Sequence, residues 1–320
     1  MKFLNTLFFV FLSFVLFSQF GEAKIDTSKY ASYRLSIRIA NNRIAADERN
    51  AEAYLQRGYY RNLLLDYEGA LQDIDKYISL KPNEASVYKS RAKVNFEKGD
   101  LQQAVKDISK AIELDPNFYD AIRDRSTIYY QLKDYKSCKK DLQRLIEKNP
   151  ADLSTVISLG YCETKEKNYP EAIRIFEGVI AKDSLHKEAY TNLGFCHFSL
   201  GDHTKALKYI NKALQIDPRY PEAYDKRAQI RMKDGDYKSA LEDLNKALSY
   251  NPFMPASLNN RALVFIELNR HTDALGDLNL LLDLIEPTAE LLRTRAKVWG
   301  KLGNNELMER DLKFAAEIEK

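Results

Sequence analysis

Three cysteines and four histidines are the first places to look for chemistry in this chain of 320 residues. Cys196 stands beside His197, a thiol next to an imidazole base, which is the pairing that activates a sulfur nucleophile. Neighbouring residues of a helix point about 100° apart, however, and do not face each other. None of His186, His197, His203 and His271 stands at a spacing that would set two ligands on one helix face. The sequence also has no phosphate-cradling Gly loop, no Ser nucleophile elbow and no zinc motif. Its carboxylates fit helix caps, ion pairs or exposed faces. The chain therefore reads as a non-enzyme with no catalytic, metal or cofactor site.

Composition narrows the class further. Hydrophobic residues make up 45% and charged residues 30%, with only 12 Gly and 9 Pro, so long helices with apolar faces are affordable and disorder is not expected. Lys and Arg total 49 against 46 Asp and Glu, a well-mixed balance that gives nucleic acid no footprint. Three cysteines are too few, and odd in number, for a disulfide framework.

The first two dozen residues differ from the rest. Lys2 precedes an uncharged, Phe-rich run, most apolar from Leu7 to Phe17, and Gly21-Glu22-Ala23 supplies small residues where a signal peptidase reads. Residues 1–23 are expected to be a secretory leader, which directs the chain to a periplasm or the extracellular space. An uncleaved anchor is the alternative, since Phe3 to Phe20 approaches the length that spans a bilayer. Membrane attachment or a secretory-pathway lumen then remain open as destinations.

The elements that carry the rest of the chain repeat. Pro82, Pro116, Pro150, Pro218 and Pro252 fall on one 34-residue grid, with Ser184 and Glu286 in its remaining slots. The units run 51–84, 85–118, 119–152, 153–186, 187–220, 221–254, 255–288 and 289–320. Each reads as two helices joined by a tight turn. A small residue recurs in the first helix (Gly58, Ala92, Ser126, Gly160, Gly194, Ala228, Ala262, Ala296), where it lets a neighbouring helix approach closely. In the second helix, Ala70, Ala104, Cys138, Ala172, Ala206, Ala240, Ala274 and Met308 share another slot. Gly99-Asp100, Gly201-Asp202, Gly235-Asp236 and Gly303-Asn304 mark turns in which Gly takes the left-handed position and the next residue caps a helix. Residues 24–50 form a linker and one further helix that caps the first hairpin.

A charge pattern overlies the grid. Arg57, Arg91, Arg125, Arg227, Arg261 and Arg295 occupy the same slot of six units, and the same units carry Asp73, Asp107, Asp141, Asp243, Asp277 and Asp311. The other two have Leu159 with Ile175 and Leu193 with Tyr209. Charge and countercharge are exchanged together, so an Arg–Asp pair between the helices of each hairpin is expected. Cys162 and Cys196 share a slot with Tyr60, Val94, Ile128, Ile230, Val264 and Val298, which marks them as small buried hydrophobes. Stacked hairpins would hold these two about 8–10 Å apart, as free, shielded thiols.

The 34-residue unit, its small residue in each helix, its closing proline and runs such as GDLQQAVKDISKAIELDPN at 99–117 and GDYKSALEDLNKALSYNP at 235–252 resemble the tetratricopeptide repeat family over residues 51–320. Pentatricopeptide RNA binders have similar unit lengths, but lack these prolines and carry a basic balance. The resemblance implies an all-α, right-handed superhelical solenoid of about eight hairpins plus the N-terminal capping helix. It also implies a concave face, lined by the first helices, that holds peptides or partner helices. In this register the face comprises Lys89, Lys93, Phe96, Arg123, Tyr130, Ile157, Tyr161, Asn192, Phe195, Phe198, Gln229 and Met232. These side chains either form a groove, richest in aromatics at units four and five, or fill the interior against one another. The family's Lys/Asn/Arg clamp for terminal carboxylates is incomplete, because Asp124 stands where Asn is needed. The expected function is a non-enzymatic protein- or peptide-binding scaffold outside the cytoplasm. The alternatives are a lumenal or periplasmic co-chaperone for unfolded chains and a membrane-anchored assembly factor.

Overall fold

The structure, a computed structural model, describes residues 27–319, so the expected leader at 1–23 lies outside the described residues. Among those residues all regular structure is helical, and no helix is long and apolar enough to cross a membrane. The chain divides at Glu166/Lys167 into two compact units.

In the first unit, α1 (Thr27–Ala46) packs on α2 (Ala51–Leu63). That helix opens three hairpins, α2 with α3 (Tyr67–Leu80), α4 (Ala85–Lys98) with α5 (Leu101–Leu114), and α6 (Tyr119–Gln131) with α7 (Tyr135–Lys148). Helix α8 (Leu153–Lys165) then packs on α7. The second unit opens with α9 (Tyr169–Lys182), which packs on α10 (Lys187–Ser199). Its hairpins pair α10 with α11 (His203–Ile216), α12 (Pro221–Lys233) with α13 (Tyr237–Tyr250), α14 (Pro255–Glu267) with α15 (His271–Leu284), and α16 (Ala289–Lys301) with α17 (Asn305–Ile318). The expectation of an all-α array of hairpins with an N-terminal cap helix holds.

Local chemistry explains where helices start and stop. Asp66, Asp100, Asp134, Asp202, Asp236 and Asn304 each accept a backbone N–H three residues on, satisfying a donor that the first turn leaves free. The residue before each of these caps is left-handed. Gly99, Gly201, Gly235 and Gly303 take positive φ, as expected, and so do Leu65 and Lys133, at φ 62° and 60°. Two further turn residues, Lys167 and Asn269, are also left-handed. The turn geometry is thus imposed by hairpin packing even where the residue disfavours it.

The small-residue slots are tight for a visible reason. A Cβ on Gly58 would lie 3.1 Å from the Ala70 carbonyl oxygen, and one on Gly194 would lie 2.6 Å from Ile210 Cγ1. Opposite them, Ala70, Ala104, Ala172, Ala206, Ala240 and Ala274 are fully buried.

All six expected Arg–Asp pairs form. Arg57, Arg125, Arg227, Arg261 and Arg295 each donate from Nε and Nη2 to both carboxylate oxygens of the Asp sixteen residues on, at 2.5–2.9 Å. Arg91 reaches Asp107 through Nη2 alone, at 2.6 Å. The carboxylates are nearly inaccessible, and the two-pronged geometry is what makes a buried charge tolerable. Each guanidinium has a second arm that was not foreseen. Nη1 reaches sixteen residues backward, to Asn41, Asp75, Ser109, Asn211, Asn245 and Asn279, on the helix that precedes the hairpin. One side chain therefore closes its own hairpin and fastens it to the previous element. Where the Arg slot is Leu193, the Asp slot is Tyr209, and the His197 ring stacks on it at 5.3 Å. An aromatic stack replaces the ion pair there.

Candidate functional site

The first helices of the first unit frame two adjoining clefts. The cleft between α4 and α6 has a volume of 530 Å³ and takes in Lys89, Lys93 and Phe96 from the expected face, with Glu97, Asp124, Thr127 and Ile128. The cleft between α2 and α4, of 620 Å³, is walled by Leu55, Tyr59, Tyr60 and Asn62, with Ser90 and Lys93 on its far side. Ser90 and Lys93 belong to both, so Lys93 stands on the ridge between them.

Apolar surface lines both clefts and charge sits at the rims, mostly neutralised. Lys89 Nζ lies 3.2 Å from Asp124 Oδ2 and over the Phe118 ring. Lys93, at 65% side-chain exposure, is 3.8 Å from Glu97 Oε1. The Asp124 that breaks the carboxylate clamp in the sequence thus occupies the lysine itself, and a free carboxylate would have to displace it. Asn62 Nδ2 donates to Glu97 Oε2 at 2.7 Å, while its buried Oδ1 accepts no hydrogen bond from the described residues.

The remaining expected residues are distributed differently. Arg123 donates to Thr155 Oγ1 at 2.9 Å and to Asp152 Oδ2 at 3.1 Å, which ties it to the cap of α8. The Ser154 hydroxyl, the Thr155 hydroxyl and Arg123 hold the Asp152 carboxyl well below the usual range. Tyr130 and Tyr161 share a smaller cleft of 200 Å³ with Ser158 and Cys138. Burial, reinforced by the neighbouring Tyr135, pushes the Tyr130 phenol up to about 12, so it stays a neutral hydrogen-bonding group. Ile157 needs correction as a groove residue. It is 3% exposed, part of the packing, and offers a ligand almost no surface.

In the second unit, Asn192 donates to its own helix at Glu188 O, and Gln229 donates to buried Asp225, which also accepts from Ser257 and Asn260. Phe195 lies under the Lys226 ammonium at 4.9 Å, Phe198 lies 5.1 Å from His203, and Met232 packs on the core between α12 and α13. These five residues are half-buried.

Leu55, Tyr59 and Asn62 were missed, although the signal was present. They hold in the first repeat the slots that Lys89, Lys93 and Phe96 hold in the second. Tyr59, at 57% exposure, is the most open of the large aromatics in these clefts. The cysteines also part from expectation. All three are buried, as anticipated, but the neighbour of Cys162 is Cys138, at 3.2 Å between sulfurs.

Stacked helical hairpins with a grooved first-helix face define a helical repeat protein. Residues 85–118, 188–220 and 226–286 each match the tetratricopeptide repeat profile. Among solved structures, a tetratricopeptide repeat protein from Parabacteroides merdae is 18% identical, with a TM-score of 0.54 over 74% of this chain and 93% of its own. Yeast Tom70 is 17% identical, with a TM-score of 0.61 over 88% of this chain and 60% of its own. A chain of the APC/C hetero-tetramer Cut9–Hcn1 is 16% identical, with a TM-score of 0.59 over 88% of this chain and 56% of its own. At such identities the likeness speaks for the fold. No curated protein matches the sequence as a relative. The matched stretches, and the fold they share with these structures, are those of tetratricopeptide repeats.

Proposed function

We propose that this protein is a non-enzymatic scaffold that binds an extended protein segment along the first-helix face of its first three hairpins. The observation that carries the reading is the pair of adjoining clefts with aromatic walls and a shared lysine ridge. Apolar anchors of the segment would enter beside Tyr59 and Phe96. Its own charges would exchange with the Lys89–Asp124 and Lys93–Glu97 rim pairs. Shallow contacts of this kind sum to affinity while one or two buried aromatics dominate it. The leader-like residues 1–23 support a site of action outside the cytoplasm, and N-terminal sequencing of the protein made by its own cells should begin at Lys24.

The test is a crosslinking pull-down of the tagged chain, followed by binding of the captured segment to Tyr59→Ala/Phe96→Ala. The expected loss is roughly 10- to 100-fold in Kd. Unchanged affinity in a folded double variant refutes the site. The aromatic residues farther along favour a second reading, a co-chaperone for unfolded chains. If Tyr161→Ala/Phe195→Ala alone abolishes binding, and hydrophobic peptides of unrelated sequence compete, that reading replaces the first.

A further inference from the structure

One pair of reactive groups stands apart from the two clefts of the proposed binding face and from the Arg–Asp ladder. Cys138 on α7 and Cys162 on α8 place their sulfurs 3.2 Å apart in the interior of the first unit. The repeat explains the encounter. The second-helix alanine slot and the slot 24 residues later meet at each junction, as Ala70 with Val94, Ala206 with Ile230, Ala240 with Val264 and Ala274 with Val298, each pair sharing one hydrophobic cluster. At the junction of the third hairpin with α8, both slots hold cysteine. Cys196, by contrast, corresponds in register to an alanine, Ala172.

We propose that Cys138 and Cys162 form an intramolecular disulfide that staples the third hairpin to α8, while Cys196 remains a thiol. The sulfurs need to approach by roughly 1.2 Å to reach bonding distance. The oxidant is a disulfide, either a small one such as oxidised glutathione or that of a thiol oxidase. The Cys138 thiolate attacks one sulfur of the oxidant, forming a mixed disulfide and releasing one thiolate. Cys162 gives up its proton and attacks Cys138 Sγ, which expels the second thiolate. Two thiols lose two electrons and two protons, and the oxidant disulfide becomes two thiols. In the folded junction the hydrogen bond from one thiol to the other lowers the first and, together with burial, raises the second; the two steps balance equally with the cysteines exchanged. Because both sulfurs are buried once α7 and α8 pack, the reaction belongs to folding or to opening of this junction. The proposal is independent of the binding reading.

The experiment refolds the reduced, denatured full chain in a glutathione redox buffer, then quenches, denatures and alkylates it. The expected product is a monomer with one alkylated cysteine, Cys196, and a peptide crosslink from Cys138 to Cys162 that a reductant removes. Cys138→Ala and Cys162→Val, which install residues that other repeats carry at these slots, should each abolish the crosslink without unfolding the array. Hydrogen exchange of the oxidised chain should show opening of α7 and α8 suppressed roughly 10²- to 10³-fold relative to the reduced chain, the constraint expected for a loop of this length. Three alkylated cysteines in the refolded monomer, or a crosslink through Cys196, overturn the proposal.

Discussion

Truncating Asp107 is the sharpest test of how the array is held together. The carboxylate is 2% exposed and accepts from Arg91 Nη2 at 2.6 Å, Asn95 Nδ2 at 2.9 Å and Gln103 Nε2 at 3.1 Å. In Asp107→Ala, Asn95, itself 4% exposed, loses that acceptor, at a cost of about 1–3 kcal/mol for an unsatisfied buried donor. Stranding a fully buried partner charge costs about 3–5 kcal/mol. Arg91 escapes part of this, because its side chain is 22% exposed and keeps Asp75 at 2.6 Å. A net loss of about 2–4 kcal/mol follows. Asp75→Ala is the control, since its carboxylate is 59% exposed and an exposed pair contributes about 0–1 kcal/mol. Urea unfolding gives the totals. Amide exchange gives the location, because repeat arrays open locally, and α4 and α5 should lose protection first. Arg91→Leu/Asp107→Ile, which copies the apolar exchange seen in the fourth repeat, should be less harmful than the sum of its single changes by at least about 1 kcal/mol. Equal midpoints for Asp107→Ala and Asp75→Ala, or strict additivity in the double variant, would refute the reasoning.

Three other outcomes are expected. Gly194→Ala should destabilise by about 1–2 kcal/mol in thermal melts, since overpacking against Ile210 and the Ala206 carbonyl outweighs the gain in helix propensity. Leu65→Gly should stabilise by about 0.5–1 kcal/mol, because it relieves a left-handed leucine whose side chain is largely exposed, less the backbone entropy that glycine adds. His197 should make the fifth hairpin sensitive to acid. Burial, helped by Lys205, lowers its folded pKa below the ordinary value of 6.5, so the unfolded chain binds the proton more readily. Stability is then complete above about pH 6.5 and declines as pH falls toward the folded pKa, and His197→Gln should flatten that profile in amide exchange of α10 and α11.

Much of this was legible because a repeat is its own alignment. The Arg–Asp pairs could be read from one chain since both partners vanish together at Leu159/Ile175 and Leu193/Tyr209. The backward arm of each Arg escaped notice, because its acceptors vary among Asn, Asp and Ser and leave no single-residue signature. Leu65 and Lys133 carry no turn signal, and only hairpin packing forces them left-handed. Cys138 and Cys162 sit in different slots of successive repeats, so comparing like slots set Cys162 against Cys196 and left Cys138 out of the comparison. The clefts depend on which side chains fold over which, and Ile157 shows how a register position on the right face can still be packed away.

The mixed construction of the array also carries a thermal consequence. Apolar contacts weaken on cooling, whereas the desolvation penalty of an ion pair falls on warming. Six hairpins are latched by guanidinium and carboxylate, while Leu193, Tyr209 and His197 latch the fifth through hydrocarbon and ring surface. The two kinds of latch therefore respond to temperature with opposite sign, and the apolar one loosens first in the cold.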